Sequence, residues 1–389
     1  MIDWDLNEEQ QAIQDAARKF AQSEIAPLAR DVDLGDLDFP EPLLGKMAAQ
    51  GYFGMGIGQE HGGLGLDTLS MGLVTEQFCH ANLAMGSILQ RNWLCGHILQ
   101  TFGTPAQKAR WLPGMSSGAD QSCTSGTEPE AGSDAANIKT TARLDGAHYI
   151  VNGSKQYTTF AGRANLVFTY VRTSAESKHG GISLLVIEKT PGDQFVPPHF
   201  TGSHIKTAGF HGLHSYSLFF QDLAVPRDNL VGGEEGKGFY QLMFGYERAR
   251  VLIGFRCLGI AQAAYDAAFQ YAQQRVQFGK PIAQFQAVKH KLADMATDIM
   301  AARALCHRVA RTMDKGVRCN TEAGMVKLMC SEMAARVTKT AMLLHGGIGY
   351  ALATDANRYW RDGMLMSIGE GTSDIQREII SKALLAGKD

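Results

Sequence analysis

The residue pattern of the chain changes character twice, and the order of those changes restricts the fold more than any single motif does. The first stretch repeats its apolar positions at helical spacing. Leu6-Asn7-Glu8-Glu9-Gln10 opens an amphipathic segment through Ile13, Ala16, Ala17 and Phe20, and Phe39-Pro40-Glu41-Pro42 starts a second helix that stops at Gly51. Residues 67–102 are largely apolar at helical spacing, and Pro105 begins a short helix ending near Gly114. From Ser117 to about Gly233 the chain turns to short alternating runs: Tyr149-Ile150-Val151, residues 166–171, residues 182–187 and residues 216–220. Asp145-Gly146 and Asn152-Gly153 read as two-residue hairpin turns. Helical periodicity then returns and predicts helices over 239–275, 282–315 and 321–344, with a last one after Ser373. On the third, Met325, Leu328, Met329, Met333, Val337, Ala341 and Leu344 form one core-facing stripe. Helices, then strands, then helices argue against a doubly wound sheet, in which the two alternate. The expected architecture is α+β multidomain: an N-terminal helical domain over 1–118, a middle antiparallel β-barrel or sandwich domain over 119–233, and a C-terminal helical bundle over 234–389.

The 389 residues are 45% hydrophobic and 20% charged, ample for a large core and more than one domain. A formal net charge of -2 gives no basic excess for nucleic acid or an anionic membrane. The N-terminus, MIDWDLNEEQQAIQDAARKF, has no positive segment followed by an apolar core, so it is not read as a signal peptide, and no apolar run reaches membrane-spanning length. Seven scattered cysteines with no CxxC read as reduced core thiols of a cytoplasmic protein, and no metal site is expected. His211 and His214 read as structural residues.

The candidate chemistry lies in turns. Gly369-Glu370-Gly371 places a lone carboxylate on a bare turn, and Ser373 with Gln376 has the spacing of a capping box for the helix that follows. A helix start favours the ionised carboxylate while burial under a ligand opposes it, which is how a general base is tuned; the same residues also read as an ordinary turn. Thr127-Glu128-Pro129-Glu130-Ala131-Gly132-Ser133-Asp134 is a polar turn at the entrance to the strand region. Lys155-Gln156-Tyr157-Thr158-Thr159-Phe160 sets an aromatic face beside two hydroxyls. Arg275 and Lys280 flank a helix junction where they meet a diphosphate or cap the helix, and His345-Gly346-Gly347 is a bare-backbone turn. Gly54-Met55-Gly56-Ile57-Gly58 lacks the register and context of a phosphate loop, so a nucleotide cofactor must be held without a Rossmann turn.

In this order and separation, these motifs resemble the acyl-CoA dehydrogenase family over essentially the whole chain. The matches also include Phe278-Gly279-Lys280-Pro281, Gln286, Gly349-Tyr350, Arg361-Asp362 and Ile375-Gln376-Arg377. The resemblance implies a C-terminal four-helix bundle, a homotetramer, and FAD bound between the β domain, the bundle and a neighbouring subunit. It implies α,β-desaturation of an acyl-CoA: a carboxylate takes the α-proton, the β-hydride passes to the flavin, and an electron-transferring flavoprotein reoxidises it. By that resemblance Glu370 is the base and Arg250 an arginine beside it. Ser125, Thr127, Ser133, Tyr157, Thr159, Arg275, Phe278, Gln286, Leu343, Gly346, Gly347, Thr372 and Asp374 meet the cofactor. Ser133, Glu247, Arg250, Gly369 and Gly371 face the substrate.

Several positions depart from the family pattern. Ala249 stands where some members carry an alternative base, which leaves Glu370. Gly369 stands where straight-chain enzymes often have Tyr, so a wider pocket for a branched, cyclic or substituted acyl group is implied. Leu343 replaces a common Gln, and His211 and Leu213 replace a usual Arg and Ser. Arg91 lies in an apolar helical stretch that lines the far end of the acyl pocket in this family; it pairs with a protein carboxylate, reaches solvent, or meets an anionic acyl tail. Dehydrogenation of a carrier-protein-bound acyl group, enoyl-thioester reduction and a non-catalytic flavoprotein are the alternative functions on the same fold.

Overall fold

The computed structural model describes residues 6–175 and 177–387, so Met1–Asp5 of the acidic N-terminus lie outside the described residues. Asn7 starts the first helix, Glu8–Phe20, with a reciprocal cap: its Oδ1 accepts from the Gln10 amide at 2.8 Å, and Gln10 Oε1 accepts from the Asn7 amide at 3.3 Å. The apolar stretch over 67–102 is two helices, Thr68–Ala81 and Leu83–Phe102. Asn82 breaks it by taking an extended conformation and capping the second helix through the Met85 amide at 3.0 Å. The helix begun by Pro105 runs past Gly114 to Ser117 and ends on left-handed Gly118.

The middle region forms a seven-stranded sheet. Thr141–Asp145, His148–Thr159, Ser215–Pro226 and Phe200–Ile205 pair antiparallel in that order. Leu166–Arg172 pairs antiparallel with Ile182–Glu188 but parallel with Ser122–Ser125, so the sheet is mixed where the sequence predicts an antiparallel one. The hairpin of Thr141–Asp145 and His148–Thr159 separates the parallel pair in sequence, the long connection that parallel pairing needs. Asp145-Gly146 does turn a hairpin, but Asn152-Gly153 sits inside a strand as a bulge. Asn152 exchanges two hydrogen bonds with Asp222 on the neighbouring strand, and a Cβ on Gly153 would lie 2.7 Å from the Thr140 backbone.

The C-terminal region is built on Gly238–Gln274, Gln286–Asp314 and Asn320–His345, followed by Asp355–Leu365 and Ser373–Leu385. The face that Asn320–His345 buries is Ala323, Val326, Cys330, Met333, Ala334, Val337 and Ala341, rotated from the Met-rich stripe; Met329 is exposed. Small residues on that face let the helix approach Gly254, where a methyl would lie 2.5 Å from Val326 and 2.7 Å from the Cys306 thiol. On its other side the long helix meets the N-terminal helices just as closely. Gly72 lies under the Phe255 ring, and a Cβ on Gly259 would press the Glu76 carbonyl and sit 2.8 Å from Cys79 Cβ. All seven cysteines are buried and none forms a disulfide.

One polar cluster joins all three regions. Asp33, from the first helices, accepts from Arg361 of the bundle at 3.0 and 2.6 Å, and His211 of the sheet region lies 3.0 Å from the same carboxylate. This explains His211 where the family pattern has Arg, and Leu213 fills the adjoining core at 1% exposure. The Asp33 bond raises the His211 pKa to about 9, above its ordinary 6.5, against the opposing effect of burial. His214, bonded to Asp38, shifts the same way. A histidine with a raised folded pKa stabilises fully below its unfolded pKa and loses that contribution as pH rises through the folded value. The thermal midpoint is therefore expected to fall between pH 6.5 and about pH 9. His211→Gln should flatten that fall, measured by melting curves across the same pH series.

Candidate active site

Glu370 is the centre of the site. The helix Asp355–Leu365 unwinds into a turn, and Glu370 and Gly371 both take left-handed backbone, at φ 54° and 92°. That conformation is strained for Glu and marks a position that the surroundings enforce. Two bonds enforce it: the Ser373 amide donates to the Ser367 carbonyl at 3.1 Å, and Gln376 Nε2 donates to the Gly371 carbonyl at 3.1 Å. The capping residue is Thr372, one before the predicted Ser373, with its hydroxyl accepting from the Ile375 amide at 3.3 Å. Thr372 is the extended residue at the helix edge, whereas Ser373 is already helical and buried. The turn aims Glu370 into a cavity also lined by Gln90, Arg91, Trp93, Leu94, Ala249 and Leu252. Ala249 thus shares that cavity and offers only a methyl group.

Two arginines hold the carboxylate. Arg256 Nη2 donates to Glu370 Oε1 at 2.6 Å, and its Nη1 donates to Ser87 Oγ at 3.3 Å. Arg91 Nη1 lies 3.8 Å from the same Oε1. Burial pushes the Glu370 pKa up, but Arg256, Arg91 and Lys327 together outweigh it and hold the carboxyl below its usual range, so it is ionised near neutral pH. Both contacts fall on Oε1, which leaves Oε2 outside these pairs.

Arg250, expected beside the base, acts on it only at longer range and gives its Nη1 to Asn320 Oδ1 at 2.9 Å. The arginine that touches Glu370 is Arg256, six residues further along the same helix, where sequence reasoning passed over it. The signal was present: like Arg91, it is a lone cation in an apolar helical run. Glu247, expected on the substrate side, is fully committed to Arg318 at 2.8 Å and to the Cys319 amide at 2.7 Å. Tyr246, also missed, feels the Glu370 charge, and burial foremost pushes its hydroxyl up to about 12, so it stays protonated.

The remaining predicted residues fall into two groups. At the sheet, Glu128 forms a buried pair with Lys155 at 2.8 Å and accepts from the Lys139 and Thr140 amides, fixing the Thr127 turn against the strand His148–Thr159. Next to it Tyr157 is 60% exposed at φ 53°. Thr159 bonds to Ser215 and Ser133 is exposed, whereas the Ser125 hydroxyl is buried against Thr158 at 2.9 Å. At one end of the bundle, Tyr271 stacks on His345, which brings the Arg275–Gln286 junction beside the Leu343–Gly347 turn. Phe278 is 93% exposed on left-handed backbone, Arg275, Gln286 and Leu343 are exposed, and a Cβ on Gly346 or Gly347 would meet nothing within 4 Å. Thr372 and Asp374 lie on the last helix start, with Gly369 and Gly371 flanking the base. An uncovered aromatic beside hydroxyl groups, a free-standing arginine and a bare glycine turn fit the ring, diphosphate and adenosine parts of FAD.

Helices, sheet and helices around a buried carboxylate, without a Rossmann turn, define a class of flavin-dependent oxidoreductases acting on CH–CH bonds. The chain matches the acyl-CoA dehydrogenase N-terminal domain over residues 7–119, the middle domain over 123–223 and the C-terminal domain over 236–385. It is 38% identical to (2S)-methylsuccinyl-CoA dehydrogenase of Cereibacter sphaeroides, covering 98% of this chain and 70% of that protein. Butyryl-CoA dehydrogenase from Megasphaera elsdenii superposes with a TM-score of 0.93 at 32% identity, covering 99% of this chain and 100% of that one. A chain from a structure of the electron transferring flavoprotein of Acidaminococcus fermentans also superposes at 0.93, with 35% identity and coverage of 99% and 100%. The protein belongs to the acyl-CoA dehydrogenase family, and its cofactor is FAD.

Proposed function

We propose that Glu370 is the base that takes the α-proton of a fatty acyl-CoA. The observation that carries this reading is an ionised carboxylate held at a strained turn in the cavity where the alternative base position is Ala249. Arg256 and Arg91 grip Oε1, and the proton goes to Oε2. FAD, when bound, accepts the β-hydride, so a double bond forms between the two carbons and a trans-2-enoyl thioester leaves. Thr127, Tyr157 and Thr159 position the ring, and Arg275, Phe278, Gln286, Gly346 and Gly347 complete the cofactor site of a neighbouring subunit in a homotetramer. The exposed Phe278 supports that assembly, since an aromatic left 93% uncovered suits a partner surface. Among the described residues no helix is long and apolar enough to cross a membrane. The free thiols support a cytoplasmic setting, and an electron-transferring flavoprotein is the proposed acceptor.

The purified protein should be yellow and should bleach anaerobically on addition of an acyl-CoA. A colourless protein, or a yellow one that no acyl-CoA bleaches, sinks the reading. Acyl groups on CoA and on a carrier protein, compared in one panel, identify the thioester partner. Gly369 reports on acyl shape. A Cβ there meets only the Leu365 carbonyl at 3.8 Å, so the backbone accepts a larger residue. Gly369→Tyr is expected to lower kcat/KM for branched relative to straight acyl groups by about tenfold or more, as pocket clashes of methylene size do. An unchanged ratio would remove Gly369 from the pocket.

A further inference from the structure

The cavity beside Glu370 holds more positive charge than its one carboxylate answers. Glu370 already has a close partner in Arg256, at 2.6 Å. Arg91 faces the cavity from the helix Leu83–Phe102, yet its nearest carboxylate oxygen is 3.8 Å away, and its buried Nε has no partner among the described residues. Arg248 lines the same cavity from the helix Gly238–Gln274. It gives Nε to Thr68 Oγ1 at 3.1 Å, and its Nη1 stands 3.5 Å from His97 Nδ1, a histidine that burial keeps neutral. Asp314 and Asp67 act on it electrostatically, but the Asp314 carboxylate is spent on the Thr68 and Leu69 amides, and neither carboxylate lines the cavity. Behind Glu370, Lys327 is wholly buried and its Nζ has no partner among the described residues, while Arg250 rests on Asn320. Trp93, Leu94 and Leu252 form the apolar remainder of the wall. Buried cations without counter-charges are costly, and a folded protein keeps them where a ligand supplies the missing anion.

We propose that Arg91 and Arg248 form an anion subsite that selects acyl thioesters carrying a second carboxylate on a short chain. The proposal rests on the acyl-CoA dehydrogenase reading above and adds the substrate class to it. Chain length follows from position. Arg91 stands 3.8 Å from the proposed base, so a carboxylate bound to it lies within a few atoms of the carbon facing Glu370. That describes a four- or five-carbon dicarboxylic acyl group, with Arg248 as the second donor across the cavity. Arginine suits the task because its planar fork meets a carboxylate through two parallel hydrogen bonds. An uncharged chain of equal length buries Arg91 with its Nε still unpaired, so the same subsite disfavours it.

The test compares succinyl- and glutaryl-CoA with butyryl- and valeryl-CoA on the FAD-loaded enzyme, by kcat/KM and by calorimetric binding. The carboxylated members should be preferred by about a hundredfold or more, the discrimination of a site that must pair a buried polar group. Arg91→Gln and Arg248→Gln should each reduce that preference about tenfold or more, the effect of removing one charge-assisted hydrogen bond. Arg91→Lys, which keeps the charge, should retain part of the preference and guards against a merely misfolded Gln variant. Glu370→Gln should bind succinyl-CoA more tightly than the wild type and butyryl-CoA no more tightly, because Arg91 then has no rival carboxylate. Equal preference for charged and uncharged chains overturns the proposal. So does an Arg91→Gln variant that weakens both sets by the same factor, because Arg91 would then serve Glu370 alone. Turnover confined to uncharged chains overturns the subsite and leaves the dehydrogenase reading intact. If no thioester is turned over, that reading fails, and the binding comparison still decides the subsite.

Discussion

Glu370→Gln is expected to slow flavin bleaching by an acyl-CoA by about 10²- to 10⁴-fold, the usual contribution of a positioned general base. The change is isosteric, so the left-handed turn and the Thr372 cap keep their bonds, and the protein should remain yellow. Colour and rate therefore separate two roles: loss of both marks a structural defect, and loss of rate alone marks the base. A Gln variant with normal bleaching would remove Glu370 from the chemistry. Glu370→Asp draws the carboxylate back by one methylene and should cost about 10²-fold, the sensitivity of a reaction to a misplacement near 1 Å. The pH profile adds a check with a definite sign. Arg256, Arg91 and Lys327 hold the Glu370 pKa below its usual range, and the base works only when ionised. Activity should fall on the acid side, and in Arg256→Met that acid limb should move to higher pH because the closest cation is gone.

Lys155→Met is expected to destabilise the protein by about 3–5 kcal/mol, the cost of removing one partner of a buried ion pair. Lys155 is fully buried, Glu128 is 7% exposed, and they meet at 2.8 Å. Without Lys155 the carboxylate stays buried while still accepting from the Lys139 and Thr140 amides. Adding Glu128→Gln should recover most of the loss, because the amide oxygen keeps an acceptor while the stranded charge is removed. Denaturant melts of the wild type, both single variants and the double variant close the cycle. FAD retention should track stability, because this pair carries the turn that holds Thr127 against the strand bearing Tyr157. If the double variant is no more stable than Lys155→Met, the effect is lost packing and not charge.

Much of this molecule is readable in its sequence, and the unread parts share a physical origin. Helical and alternating periods are local, so the three-part plan and most element positions follow from them. Asn152-Gly153 misleads because the same dipeptide serves a tight turn and a bulge, and only the bonds to Asp222 on a distant strand decide between them. Asn82 splits a continuous apolar stretch that periodicity alone joins. The Met-rich stripe of Asn320–His345 is rotated because burial there depends on how closely Gly254 admits the helix. Glu370 stands out through its glycine neighbours, whereas its partner Arg256 lies 114 residues away and is identified only by the fold. Ser125 and Glu247 have partners of the same kind, since Thr158 and the Cys319 amide, which their side chains meet, lie 33 and 72 residues away and are brought to them only by the fold.

The glycines at the helix junctions have a consequence for how such a site diversifies. At Gly72, Gly259 and Gly254 the long helix touches its neighbours with no room for a methyl group. The spacing between the wall that bears Arg91 and the turn that bears Glu370 is therefore set by bare backbone pressed on a neighbour: the Phe255 ring at Gly72, Val326 and Cys306 at Gly254, and the Glu76 carbonyl at Gly259. Such a frame tolerates exchange of the side chains at the site, because the polar bonds of Arg256 to Ser87 and of Arg248 to Thr68 add to the junction and the close-packed glycines set it. Positions 91, 248, 256 and 369 then behave as replaceable fittings on a fixed chassis, and a library confined to those four should yield folded enzymes of altered acyl preference, whereas a single methyl at Gly259 should cost the fold.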